Sequence, residues 1–218
     1  MTSRGTFRQR FFAWLLTLGD APYERAMAAR KRGLLGDLAG TVVEIGPGTG
    51  VNLSYYRSDV RWIGIEPNPY LHRQLREAAA RQGLAIDLRA SAAHATGLPD
   101  GSADAVVSTL VLCSVSDVET TLREVLRVLR PGGRLAFIEH VAAPQGTRRR
   151  WVQNSLRPVW SVLADGCHPN RETWRAIEGA GFAEVHMEHF EAPTPTVIRP
   201  HVAGVARKGG PPSLPTVR

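Results

Sequence analysis

The chain has 218 residues, enough for one large α/β domain or one domain with terminal additions, and too few for two independent catalytic domains. Hydrophobic residues make up 43% and charged residues 22%, so a core forms and intrinsic disorder is excluded as the general state. The formal charge is 27 − 20 = +7, almost all of it arginine, since Lys31 and Lys208 are the only lysines. That excess favours anionic partners or surfaces. It is scattered, however, with short runs only at Arg30, Lys31 and Arg32 and at Arg148, Arg149 and Arg150. Nucleic-acid binding calls for a longer basic stripe with aromatic platforms, so no nucleic-acid partner is expected.

At the start, Phe7 to Leu18 reads as an amphipathic segment with Arg8 and Arg10 beside Phe11, Phe12 and Trp14. Its apolar run is far short of the ~20 residues that span a bilayer, and no signal-peptide cleavage pattern follows. Residues 1–38 are expected to form a helical lid over the core, with a basic aromatic helix lying on an anionic membrane as the alternative. A helix over Tyr23 to Arg32 follows. From Thr41 short apolar runs alternate with longer mixed segments, the rhythm of βαβ units on a parallel sheet. Strands are predicted at Thr41 to Ile45, Val60 to Glu66, Ala85 to Ala90, Ala103 to Thr109 and Gly133 to Glu139, with helices at about Val51 to Tyr56, Pro69 to Arg81 and Val118 to Leu129, the last ending at Arg130. Pro131, Gly132 and Gly133 are read as the stop after the last of these. Helices at Arg148 to Leu163 and Arg171 to Gly179 precede two strands, Glu184 to Glu191 and Arg199 to Lys208, which lack a crossover and so form an antiparallel hairpin at a sheet edge. The main domain is expected over residues 39–208, with residues 209–218, rich in proline and glycine, as a disordered tail.

The strongest constellation is Glu44-Ile45-Gly46-Pro47-Gly48-Thr49-Gly50 at the end of the first strand. Glycines there let the backbone turn sharply and let a ligand approach closely. Val51 stands where a dinucleotide fingerprint reserves its third glycine, and no Gly-Lys-Ser/Thr follows, so a nucleoside triphosphate loop is excluded. Glu44 places a carboxylate near the loop, which repels phosphate and suits a ligand carrying an ammonium group. Glu66 follows Gly46 by 20 residues at the end of the second strand, where an acid accepts hydrogen bonds from both hydroxyls of a ribose.

These residues resemble the class I S-adenosylmethionine-dependent methyltransferases, through Glu44 to Gly50, Glu66-Pro67-Asn68, Leu98 to Asp104 and Arg127 to Gly133. Thr109 to Val115, Glu139-His140-Val141-Ala142-Ala143, Asp165-Gly166-Cys167 and Arg199-Pro200-His201 bring the resemblance closer to the thiol S-methyltransferases of membrane and lipid-droplet surfaces, over about Tyr23 to Lys208. Bacterial phospholipid N-methyltransferases and quinone-ring methyltransferases share the first half. The resemblance implies an α/β, Rossmann-like, seven-stranded and mostly parallel sheet with helices on both faces, an antiparallel C-terminal hairpin and extra N-terminal helices. It implies S-adenosyl-L-methionine as cofactor, with Gly46, Gly48 and Gly50 around its methionine part, Glu44 nearby, Glu66 on the ribose and Pro67 and Asn68 flanking the adenine. Where the family usually carries an acid after the third strand, this chain has Ser91-Ala92-Ala93-His94, so the adenine amino group is expected to meet the backbone at Ala92 or the His94 side chain. Thr109 and Leu110 would line the gap between cofactor and acceptor.

Methyl transfer is an in-line displacement that depends on alignment and exclusion of water, so no obligatory metal is expected. The two cysteines, Cys113 and Cys167, show no metal-ligand spacing along the chain and point to a reducing compartment, which fits a cytoplasmic protein, peripheral at the membrane if the first helix docks there. Candidates for proton handling are His140 after the fifth strand and Asp165 and His168 after the Trp151 to Leu163 helix. A histidine satisfied by its own strand end, and a Cys113 that merely packs, are the plainer readings. Trp151, Trp160 and Trp174 are candidates for an apolar acceptor pocket or for core. The expected acceptor is a small apolar thiol. Alternatives are a phospholipid or other amine, a quinone or natural-product carbon or oxygen, or a membrane-surface protein whose cofactor fold is vestigial. Oligomeric state is open.

Overall fold

A computed structural model describes residues 6–17 and 21–210. Its centre is a seven-stranded sheet in the order β3-β2-β1-β4-β5-β7-β6. The strands are β1 (Thr41–Ile45), β2 (Arg61–Ile65), β3 (Ile86–Arg89), β4 (Ala103–Thr109), β5 (Leu129–His140), β6 (Glu184–Glu191) and β7 (Pro200–Arg207). β1 to β5 run parallel, and β7 lies antiparallel between β5 and the edge strand β6. The expected hairpin is therefore present, with its second strand inside the sheet.

Around the sheet are helices α1 (Phe7–Thr17), α2 (Ala21–Leu35), α3 (His72–Gln82), α4 (Val118–Val128), α5 (Arg148–Leu163) and α6 (Thr173–Gly179). Alternation along the strands sends successive side chains to opposite faces. Val43, Ile45, Val106, Leu135 and Phe137 pack on one face with Val118, Leu122 and Val125 of α4 and Ile177 of α6. Val42, Trp62, Ala105, Val107 and Ala136 pack on the other with Leu75, Ala78 and Ala79 of α3 and Leu35 of α2. Both faces of the parallel strands are thus covered, which is why those strands read as nearly continuous apolar runs.

Three local expectations are corrected. The stretch expected as a helix over Val51 to Tyr56 is a turn with only a 3-10 segment at Leu53–Tyr55. α4 ends at Val128 rather than Arg130, and β5 starts at Leu129, where Leu129 pairs with Ala103. Pro131, Gly132 and Gly133 do not end an element there; they form an irregularity inside the strand, between the Ala103 and Ala105 pairings, with Gly132 at φ +75°. The expected tail from residue 211 onward and Leu18 at the end of the N-terminal segment lie outside the described residues.

Candidate active site

The order β2-β1-β4 places the topological switch between β1 and β4, and a ligand crevice opens at the carboxyl ends of the strands beside such a switch. The glycine loop lies there. Gly46, Gly48 and Gly50 adopt φ values of +58°, +59° and +85°, a region that side chains rarely tolerate. Their surroundings differ. A Cβ on Gly46 would stand 2.6 Å from Val111, and one on Gly50 would stand 2.8 Å from Leu75 and 2.9 Å from Leu53, so these two glycines serve close packing. A Cβ on Gly48 would meet only Leu16 of α1, at 3.8 Å, so Gly48 faces an open cradle beneath the first helix.

Glu66 closes one side of that cradle. Its side chain accepts from the Gly48 N–H at 3.1 Å and from the Asn68 N–H at 2.9 Å, and the residue is only 5% exposed. Burial raises its pKa to about 7 against the lowering effect of those two N–H donors, with Asp165 and Glu44 adding like-charge repulsion. Hydroxyl donors from a ribose would compensate the ionised carboxylate. Asn68 accepts from the Tyr70 N–H and donates to the Gln9 carbonyl at 3.0 Å, which fastens α1 to this rim. A second fastening, Arg8 to Asp165 at 2.9 Å, joins α1 to the turn after α5. These two contacts tie α1 to opposite sides of the crevice rim.

Glu44 is placed deeper than the sequence suggests. Both carboxylate oxygens are taken, Oε1 by Asn52 Nδ2 at 2.7 Å and Oε2 by the Tyr56 hydroxyl at 2.8 Å and Trp62 Nε1 at 3.1 Å. Burial raises its pKa despite these donors. It thus reaches the crevice through Asn52, which also donates to Thr109 Oγ1 at 3.1 Å and whose Oδ1 is buried without a partner. Asn52 carries no signal in the sequence beyond standing two residues after the last glycine, and it was not among the expected site residues. An orphaned acceptor beside a glycine cradle and a ribose-ready carboxylate fit a nucleoside ligand that also bears an ammonium group.

Thr109 ends β4, and Leu110 follows with φ +58°, turning the chain so that Val111 abuts Gly46. The turn is held from below by Glu139, whose Oε1 accepts from Ser108 Oγ at 2.6 Å and from the Val111 and Leu112 N–H groups at 3.2 Å. Ala92 and His94 lie partly exposed and exposed after β3, with Pro67 exposed and Asn68 buried after β2.

The candidates for proton handling separate. His140 is buried, with Nε2 at 2.9 Å from Cys167 Sγ and Nδ1 unpartnered. Asp165, at φ +46°, pairs with Arg8, and His168 Nδ1 lies 3.3 Å from Arg171 Nη2. Burial and the neighbouring Arg171 lower the His168 pKa. The three tryptophans likewise have different neighbours: Trp151 is 71% exposed, Trp160 Nε1 donates to Cys167 Sγ at 3.3 Å, and Trp174 meets His189 edge-on.

Comparison with known proteins bears on the chemistry. The methyltransferase domain family matches residues 43–137. Thiol S-methyltransferase TMT1A of Homo sapiens is 39% identical over 212 residues, covering 92% of this chain and 87% of that protein. The chain belongs to the same methyltransferase family. Thiol S-methyltransferase TMT1B of Rattus norvegicus is 38% identical, covering 91% of this chain and 86% of that protein. Among solved structures, a SAM dependent methyltransferase from Aquifex aeolicus aligns with a TM-score of 0.61 at 17% identity, over 90% of this chain and 97% of that one. The [4+2]-cyclase SpnF aligns with a TM-score of 0.70 at 20% identity, over 88% of this chain and 84% of that one. That a cyclase shares the fold underlines that the fold alone does not choose the reaction. Family membership does: this protein is a methyltransferase.

Proposed function

We propose that this methyltransferase takes its methyl group from S-adenosyl-L-methionine and delivers it to the sulfur of a small apolar thiol. The observation that carries the acceptor is that identity to the thiol S-methyltransferases spans about nine-tenths of the chain, well beyond the residues 43–137 of the shared domain. The donor is supported by the cradle at Gly48, the half-satisfied Glu66 and the orphaned Asn52 Oδ1. When bound, the cofactor supplies a methyl group on a positively charged sulfonium. The chain's own work is to bind and to exclude water. Gly48 leaves room for close approach, Glu66 would accept from ribose hydroxyls, Asn52 Oδ1 would accept from the ammonium group, and Asn68 fastens α1 at the rim. A cysteine-type thiol has a pKa of about 8.5, so a few per cent of it is thiolate near neutrality and the reactive fraction rises with pH. The test is transfer of tritiated methyl from the cofactor to a panel of thiols, phospholipid amines and quinols. Label is expected in thiols, and a blank panel with cofactor-bound protein would overturn the reading.

The same reading includes contact with a membrane surface. Phe7 is 85% exposed, with Trp14 and Leu15 exposed beside it on α1; Trp151, Val159, Val162 and Leu163 are exposed on α5, which packs on α1. Arg8, Arg10, Arg148 and Arg149 accompany them in sequence. Exposed apolar residues flanked by cations suit the interface of anionic lipid and would give an apolar thiol a short path to the crevice. No helix among the described residues is long and apolar enough to cross a membrane.

A further inference from the structure

Both cysteines of the chain meet one histidine. Cys113 lies in the turn after β4, His140 ends β5, and Cys167 lies in the turn after α5; successive members are 27 residues apart (140 − 113 and 167 − 140), so chain spacing hides the group. Their donor atoms all lie within 4.8 Å of one another, and the residues are 1%, 3% and 6% exposed. The surrounding backbone is fastened around them. His168 N–H donates to the Cys113 carbonyl at 2.9 Å, and Arg171 Nη1 holds the Leu112 and Val115 carbonyls at 2.6 and 2.7 Å. Among the described residues, the non-glycine positions with positive φ are Leu110 and Asp165, one in each cysteine-bearing turn. Backbone strain of this kind, of order 1–3 kcal/mol per residue, persists where surrounding contacts enforce it. Trp160 Nε1 donates to Cys167 Sγ at 3.3 Å, the kind of outer hydrogen bond that supports a coordinating sulfur.

We propose that Cys113 Sγ, His140 Nε2 and Cys167 Sγ form a binding site for a thiophilic divalent cation, zinc. Two sulfurs and an imidazole are soft and borderline donors, unsuited to calcium or magnesium and suited to zinc. Charge balance agrees with burial. Binding removes one proton from each thiol to solvent, and two thiolates with a neutral imidazole then balance the dication, which leaves a neutral centre in a buried setting. Bond lengths of about 2.3 Å to sulfur and 2.0–2.1 Å to nitrogen put tetrahedral donors roughly 3.5–3.8 Å apart. The donor atoms already lie within 4.8 Å of one another, and the 2.9 Å His140–Cys167 contact would open on binding. Three protein ligands leave the fourth position to water or another small ligand. The site is independent of which atom accepts the methyl group.

The experiment uses the full chain, purified under reducing conditions, loaded with zinc and desalted. Elemental analysis should find about one zinc per chain, and cobalt(II) in its place should give near-ultraviolet thiolate-to-metal charge transfer with strong visible bands, as tetrahedral thiolate sites do. C113S, H140N and C167S, measured against a competing chelator, should each fall below about a tenth of an equivalent. The cobalt spectrum of the unaltered chain keeps the test valid if a variant fails to fold. Reduced protein with less than about a tenth of an equivalent of zinc and no charge-transfer band would overturn the proposal, as would zinc retained undiminished by all three variants.

Discussion

Glu66 offers the sharpest test of how the crevice holds its nucleoside. In the free protein burial holds its carboxyl at a pKa of about 7 instead of the usual 4.5. On the proposed reading, ribose hydroxyls would donate to the ionised form, so binding would first have to ionise any protonated Glu66. Affinity for S-adenosylhomocysteine should therefore scale with the ionised fraction: near its plateau at pH 8, about half of it at pH 7, and about a hundredfold weaker at pH 5. Binding should release about half a proton at pH 7, read from calorimetry in buffers of different ionisation enthalpy. Glu66→Gln should bind about 5- to 150-fold more weakly than the native protein at pH 8, from the loss of charged acceptors worth roughly 1–3 kcal/mol, and should show no slope between pH 5 and 8. Stability of the unliganded protein gives an independent sign. A carboxyl raised from 4.5 to about 7 on folding imposes no cost below pH 4.5, then destabilises progressively up to pH 7, by as much as about 3 kcal/mol above it. Glu66→Gln should flatten that segment of the stability profile. A native affinity that is level from pH 5 to 8, or a Gln variant that keeps the slope, would refute the role assigned to Glu66.

Other expectations follow from the same geometry. Gly48→Val should abolish S-adenosylhomocysteine binding by calorimetry while the protein still folds, at about 1–2 kcal/mol cost from its positive φ, because the new side chain points into the cradle. Gly50→Ala should instead lose stability in a thermal melt, since its Cβ would stand under 3 Å from both Leu75 and Leu53. Asn52→Ala should cost roughly 1–3 kcal/mol in denaturant titration by leaving Glu44 Oε1 without its partner, and should weaken the cofactor as well. Phe7→Glu with Trp151→Glu should reduce flotation with anionic liposomes and leave cofactor affinity unchanged, whereas undiminished flotation would remove these faces from the membrane contact.

Much of the fold was legible because local and global signals agree. β1 and β4 are mostly apolar and buried on both faces, so they read as buried strands, and the glycine loop marked the switch point. The start of β5 was not legible, because Pro131 and two glycines announce a break that tertiary pairing of Leu129 with Ala103 and of Gly132 with Lys208 turns into an irregular strand. The role of Glu44 was only half legible. Its position in the loop is a sequence fact, but its capture by Asn52, Tyr56 and Trp62 depends on how the turn after Gly50 folds back. The histidine at 140 and both cysteines were visible singly, yet their meeting is set by three separate turns, which no periodicity or spacing encodes.

The central claim is that sulfur receives the methyl group, and competition between matched acceptors tests it most directly. An alkyl thiol and the amine and alcohol of the same carbon skeleton, offered together with cofactor carrying a deuterated methyl, separate the acceptor atom from acceptor shape. Mass spectrometry should find the label as the S-methyl product, with kcat/KM rising with pH as the thiol ionises. Label on nitrogen or oxygen with the thiol untouched, in protein that binds the cofactor normally, would contradict the account.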